Sequence, residues 1–447
     1  MKMETVKSII LTILVLISIF FTWNIWTYQP DYSEIPNSQY VDNNPLSDVT
    51  RKAYDVIAPK QILVHERGNH YGTYDQDLIY KLWQEMRKWE LDNFRNVSDS
   101  IKKNGFYRWV NGESEDDLFI SLIFSDTVPI SALAGETDWM EKDTYNIKFD
   151  RIMIPYTKDS TEQKLYFVDF DEHYVIQAKV KTTLSKTWNI VYESAKKDFA
   201  RFVFINESIL LPEKSFPMRG ELYFTKFLLG DQFKNALFNN PSYVKKDVNG
   251  TEYIYTDSYR QLVIIEDQAK VLYVNPTIDQ SLTTDKGKLI LQSIDFLNAH
   301  GGWISGYNDY KYFTTDEEQK VYFRLTINNY PVFAFTDSRY TITSIIQSWG
   351  NTEIELYQRP LFYLDDFIRG EETKLPSAKE VLAAIQNDST LSMDEIKQIF
   401  PAYDIQLSSR QDIVYLQPVW GIELSNGRYR MLNTKNLELG GIHDGLE

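Results

Sequence analysis

SIILTILVLISIFFTWNIW, residues Ser8 to Trp26, runs for nineteen residues without a charge, and no later stretch of the 447-residue chain repeats it. A helix of that length rises about 28 Å, close to the hydrocarbon thickness of a bilayer. Lys2 and Lys7 precede it with only Glu4 to offset them, and the first charge after it is Asp31. The positive-inside bias therefore places the N-terminus in the cytoplasm and the remainder outside the membrane. Trp23, Trp26 and Tyr28 fall at the level of the outer headgroups, where amphipathic rings are favoured. A cleaved signal peptide would need a shorter apolar core and small residues at the cleavage step, whereas the exit here is Phe20-Phe21-Thr22-Trp23-Asn24-Ile25-Trp26. The expectation is a single-pass anchor at residues 1–30 holding an extracytoplasmic domain at the cell membrane.

The anchor also carries a pattern of its own. At about 100° per residue, Ser8, Thr12, Ser18 and Thr22 share one stripe about 120° wide. Small residues let helix backbones approach, and their hydroxyls can bond across the contact. The stripe is thus a candidate surface for a partner helix; the alternative is that each hydroxyl bonds its own backbone.

Over the whole chain 43% of residues are apolar and cysteine is absent, so the exported part must be held by a hydrophobic core rather than by disulfides or thiolate metal sites. The formal net charge of −16 repels nucleic acid and anionic polymers. Residues 29–44 read as a tether. Period-3.6 and period-2 patterns then alternate, which predicts an α+β fold of antiparallel sheets with packed helices. Helices are expected near Leu46–Ile57, Asp75–Phe94, Leu184–Lys197, Leu289–His300, Ser377–Gln386 and Met393–Phe400. Phe202–Ile205 is expected to open a second unit, Asn249-Gly250 to turn a hairpin, and Pro418 to hold its strand at an edge or bulge. The divisions are an N-terminal α+β domain at 31–200, a strand-rich domain at 201–288, and a C-terminal domain at 289–447. In the last, a helix followed by a hairpin occurs twice, with turns at Asn328-Asn329 and Asn426-Gly427, and Ser377 with Glu380 forms a capping box.

Searches for chemistry fail one by one. His65-Glu66 opens H-E-x-x-x-H; on a helix the five-residue step to His70 would turn the two rings about 140° apart, which does not suit a zinc site. Asp169, Asp171 and Glu172 could hold calcium or form an acid–base pair, or lie on a solvated sheet face. Gly301-Gly302-Trp303-Ile304-Ser305-Gly306 does not satisfy G-x-S-x-G, and no phosphate-cradling glycine motif occurs. No catalytic residue, cofactor or metal is expected. With 30 Tyr, 25 Phe and 10 Trp, the aromatics could line a protein interface or stack on sugar rings, so a cell-wall glycan or peptidoglycan-fragment binding protein is the alternative reading.

The anchor running straight into Thr27-Tyr28-Gln29-Pro30-Asp31-Tyr32, together with Tyr255-Thr256-Asp257-Ser258-Tyr259-Arg260 and Tyr415-Leu416-Gln417-Pro418-Val419-Trp420, resembles the YycH family. Those proteins are membrane-anchored regulators of the essential sensor histidine kinase WalK (YycG) of low-GC Gram-positive bacteria. The resemblance covers the whole chain. It implies an extracytoplasmic α+β protein without enzyme activity, whose latter part is similar to a companion protein, YycI. It also implies that the chain associates with a YycI-like protein and with the kinase, partly through transmembrane helices.

Overall fold

The computed structural model describes Met3–Thr27 and residues 46–432, apart from 116, 134, 138, 140–146, 157–162, 183, 277–284, 317–318, 337–342, 351–352 and 409–411. Met3–Thr27 is one 25-residue helix. Its side chains from Leu11 to Thr22 are all exposed, while those of 4–6, 8–10 and 23–27 fall outside the description. Among the described residues, no helix is long and apolar enough to cross a membrane. The helix belongs to one unit, Met1–Asn43, and the rest of the chain forms a second, Asn44–Glu447.

The second unit is α+β, as its patterning requires, and is built on two sheets. The first contains β1 (Gln61–Glu66), β2 (Asn69–Thr73), β3 (Leu91–Asn96), β4 (Leu118–Pro129), β5 (Lys148–Pro155), β6 (Lys164–Asp169), β7 (Tyr174–Val180), β8 (Ala200–Phe204) and β9 (Leu210–Pro212). Their spatial order is β3-β7-β6-β5-β4-β1-β2-β8-β9. Phe202 therefore does not open a second unit: it pairs with His70 of β2 and belongs to the first sheet.

The second sheet has fourteen strands. They are β10 (Phe216–Phe227), β11 (Lys245–Asn249), β12 (Glu252–Thr256), β13 (Gln261–Ile265), β14 (Lys270–Val274), β15 (Asp309–Thr315), β16 (Val321–Ile327), β17 (Tyr330–Phe333), β18 (Ser344–Trp349), β19 (Ile354–Pro360), β20 (Phe362–Leu375), β21 (Ile396–Leu407), β22 (Ile413–Leu424) and β23 (Tyr429–Met431). The division expected at residue 288 falls inside this sheet, because β14 pairs along its length with β19, Leu272 opposite Gln358. The meander of β11 to β14 is thus not closed on itself; its last edge is covered by strands from the C-terminal third, which removes an exposed edge.

Two expected helices are shorter than their patterns. Only Ala53–Val56 is helical in the segment 46–57. Gln76–Met86 is the helix in 75–94, capped by Asp75 accepting from the Leu78 amide at 2.7 Å, and Leu91–Asn96 leaves it as β3. A third, Met393–Phe400, is one 3₁₀ turn, Met393–Glu395, followed by β21. Long pairing of β21 with β22, from Ile396↔Leu424 to Leu407↔Val414, outweighs the local helical spacing.

That change regularises the internal repeat. Helix Lys286–Ala299 is followed by the antiparallel strands β15, β16 and β17, and helix Ala378–Asn387 by the antiparallel strands β21, β22 and β23. The copies meet through β17 and β21, which run parallel. Asn328 and Asn329, both at positive φ, form the turn between β16 and β17, and the Ser377–Glu380 capping box starts the second helix. Pro418 sits where β22 is paired on one side, between its contact with β10 at 413–416 and with β23 at 421–423. Its missing N–H is tolerated there.

One apolar core spans both sheets. Helix Lys286–Ala299 from the second half packs on the turn Ile130–Leu133 of the first half, so closely that a Cβ at Gly287 would lie 2.0 Å from Ser131 Oγ. Val49 bridges to Trp303, and Arg51 pairs with Asp309 at 2.7 Å. The two sheets are therefore held together through one continuous core and these contacts between the halves.

Candidate functional site

Of the anchor residues, Thr12, Ser18 and Thr22 lie exposed on helix Met3–Thr27. Thr22 Oγ1 donates to the Ser18 carbonyl at 2.9 Å, the self-bonded alternative for that hydroxyl. The side chains of Ser8, Trp23 and Trp26, and all of Tyr28, fall outside the described residues. Nine of the exposed side chains between Leu11 and Phe21 are large and apolar, on every side of the helix.

The second candidate is the seam between the sheets, where a cavity of about 430 Å³ opens among Gln61 and Arg151 of the first sheet, Lys60 and Phe170 at the ends of its strands, and Lys397 and Phe400 of the second. Lys60 precedes β1 and donates from Nζ to Gln398 Oε1 at 2.6 Å across 338 residues of sequence. Burial pushes the Lys60 ammonium down to about 8, against the pull of Glu423 and Asp150. Asp150 is pushed up to about 6 by burial, which the adjacent Arg151 partly offsets, and its Oδ1 accepts the Phe170 amide at 3.0 Å. Arg151 lays its guanidinium on the Phe170 ring, 3.6 Å from the centroid.

Lys397 on β21 closes one side. Its Nζ lies 2.9 Å from Asp171 of the first sheet and 3.5 Å from Glu423 of the second. Burial lowers its proton affinity, but Glu423 and Asp171 together hold it above the ordinary lysine range. Lys397→Met is expected to destabilise the protein by about 2 kcal/mol, because it leaves Glu423 buried with a weaker countercharge. Denaturant unfolding of this variant, of Glu423→Gln and of the double variant measures the coupling; additive losses would mean the pair contributes nothing.

Of the acidic residues at the β6–β7 connection, Asp171 lines the cavity and Asp169 does not. Asp169 Oδ1 accepts the Glu172 amide at 3.2 Å and shapes the turn, while Asp171 bonds Lys397. Among the described residues, no three His, Cys, Asp or Glu side chains group closely enough to hold a metal ion.

His65 and His70 are not on a helix. They face each other across the hairpin β1–β2, in register, with the turn made by Arg67 and Gly68 at φ of 52° and 74°. Their Nδ1 atoms are 2.9 Å apart and His65 Nδ1 lies 3.1 Å from the Asn111 carbonyl. The pair is buried, 2% and 6% exposed, between Phe119 and Phe204. Burial pushes His65 down to about 3 and His70 to about 4, so both rings are neutral at pH 7. Two nitrogens at hydrogen-bond distance share a proton rather than flank a metal.

Most aromatics are spent on the core, and among the described residues no tryptophan is exposed, which weighs against a tryptophan-lined sugar platform. Lys60, Gln61, Arg151 and Lys397 had no sequence motif to mark them. The one local signal was polar residues entering strands whose neighbours are apolar.

Family models described as YycH protein, N-terminal domain, and YycH protein, C-terminal domain, match residues 4–197 and 206–434. The two-component system WalR/WalK regulatory protein YycH of Bacillus subtilis (strain 168) is 28% identical over 459 aligned residues that cover both chains completely. The crystal structure of YycH from Bacillus subtilis matches with a TM-score of 0.75 at 25% identity, over 87% of this chain and 99% of that one.

Proposed function

Because the chain belongs to the YycH family, we propose that it regulates a two-component system, acting as a non-enzymatic membrane partner of a WalK-type sensor kinase together with a YycI-like protein. The observation that carries this reading is end-to-end similarity to a protein named as a WalR/WalK regulator. Helix Met3–Thr27 is the anchor in this reading, with its N-terminus in the cytoplasm and residues 31–447 outside. Its apolar circumference fits lipid, and the stripe of Ser8, Thr12, Ser18 and Thr22 fits a second helix.

Regulation of this kind needs little energy. A helix contact that favours one kinase state by about 1.4 kcal/mol changes the ratio of states about tenfold. Two or three small-residue contacts supply that much.

Replacing Ser8 to Trp26 by an unrelated membrane anchor tests the reading. The expected result is loss of kinase co-purification and a change in response-regulator phosphorylation, with the protein still at the membrane. Unchanged output and unchanged co-purification would sink the helix contact and leave the folded domain as the only coupling surface.

A further inference from the structure

The seam cavity holds more hydrogen-bond donors than the protein satisfies. Gln61 is only 8% exposed and its Nε2 has no partner among the described residues. Arg151 Nε is likewise buried without a hydrogen bond, though ion-paired with Asp150 Oδ2 at 3.6 Å. The Lys60 ammonium, with three donors, makes one hydrogen bond, to Gln398. A buried donor left unpaired costs about 1–3 kcal/mol, so three incompletely used groups around one cavity mark a place for acceptor oxygens.

The rest of the lining narrows the class. Leu63, Ile123 and Leu210 give the cavity an apolar wall. Asp126, Asp150 and Asp171 also line it, and they oppose a dianion such as phosphate more strongly than a monoanion. A volume of about 430 Å³ lies at the small end of ligand pockets. The lowered proton affinity of Lys60 is the signature of a buried cation short of a countercharge.

The geometry points to a binding site, at the seam of the two sheets, for a small organic carboxylate with an apolar substituent, of the kind found in a free amino acid or at the C-terminus of a short peptide. Its carboxylate accepts from Lys60, Gln61 and Arg151, and its apolar part lies on Leu63 and Ile123. The site goes beyond the regulatory reading and does not depend on it. Since the cavity is lined from both sheets, an occupant touches both halves of the molecule.

The test is calorimetric titration of the full-length protein in detergent micelles with four probes: N-acetylleucine, leucine, leucinamide and inorganic phosphate. The expected result is saturable binding of either acid and none of leucinamide. Lys60→Met and Gln61→Leu should each weaken the acid at least about tenfold. Gln61→Leu removes an unpartnered amide, so its melting temperature should not fall, which separates lost binding from lost folding. Absence of binding by both acids at about 10 mM, a Kd weaker than any specific pocket of this size needs, overturns the site. So does equal binding of leucinamide, tighter binding of phosphate, or unchanged affinity in both variants.

Discussion

Trp83→Ala is expected to remove about 3–5 kcal/mol of stability. Trp83 is 1% exposed and stacks on Tyr54 with centroids 4.1 Å apart and planes 7° from parallel. Its Nε1 donates to the Tyr54 and Ile57 carbonyls at 2.9 and 3.0 Å, and Tyr54 Oη donates back to the Trp83 carbonyl at 2.5 Å. Phe124 and Trp139 meet its ring edge-on. Truncation empties a cavity too well walled to collapse and strips two buried carbonyls of their donor. Trp83→Phe keeps most of the ring and loses only the donor, so it should cost about 1–2 kcal/mol. Guanidinium unfolding followed by circular dichroism gives both values, and equal losses for the two variants would show that the hydrogen bonds rather than the packing dominate.

Stability should also fall steeply in mild acid because of His65 and His70. Both are held below their unfolded value of about 6.5, so between that pH and their folded values of about 3 and 4 the unfolded chain binds more protons. Stability is therefore full above pH about 6.5 and is lost as the pH falls below it, by about 1.4 kcal/mol per pH unit for each imidazole. The neighbouring charges reinforce this, Arg151 and the partner ring acting on His65 and Arg201 on His70. Asp150 works in the opposite sense: raised to about 6, it takes up its proton earlier in the folded state than in the unfolded chain and regains stability from about pH 6 toward 4. The difference between wild type and the variant His65→Gln, His70→Gln isolates the histidines. That difference should vanish in slope above pH 7 and grow toward pH 5. Parallel stability curves from pH 7 to 5 would show that the pair does not titrate on unfolding.

Features encoded within a few residues were legible without the structure. Asn249-Gly250, Asn328-Asn329 and Asn426-Gly427 each mark a hairpin, with Gly250, Asn328, Asn329 and Gly427 at the positive φ those residue types reach at low cost; at the first, Asn249 still pairs with Glu252 and Gly250-Thr251 makes the turn. The capping box of Ser377 and Glu380 starts its helix for the same local reason. Errors arose where a local pattern competed with distant pairing. The five-residue spacing of His65 and His70 suits no helical metal site and gives no sign of their pairing, whereas Arg67-Gly68 is a two-residue turn that places them opposite each other. Met393–Phe400 carries helical spacing, yet from Ile396 onward β22 offers it a partner strand.

By itself the sequence determined the α+β class, the apolar segment from Ser8 to Trp26, the turns and caps, and membership of a family whose motifs are not chemical. Each of these rests on contiguous residues, where propensity and periodicity act directly. Only the tertiary structure decided that the strands from Phe216 to Met431 share one sheet instead of two domains, and that Lys60 and Gln61 meet Gln398, Lys397 and Arg151 around one cavity. Those meetings join residues hundreds of positions apart. They follow from burying both sheets in one core, a long-range outcome that no local pattern records.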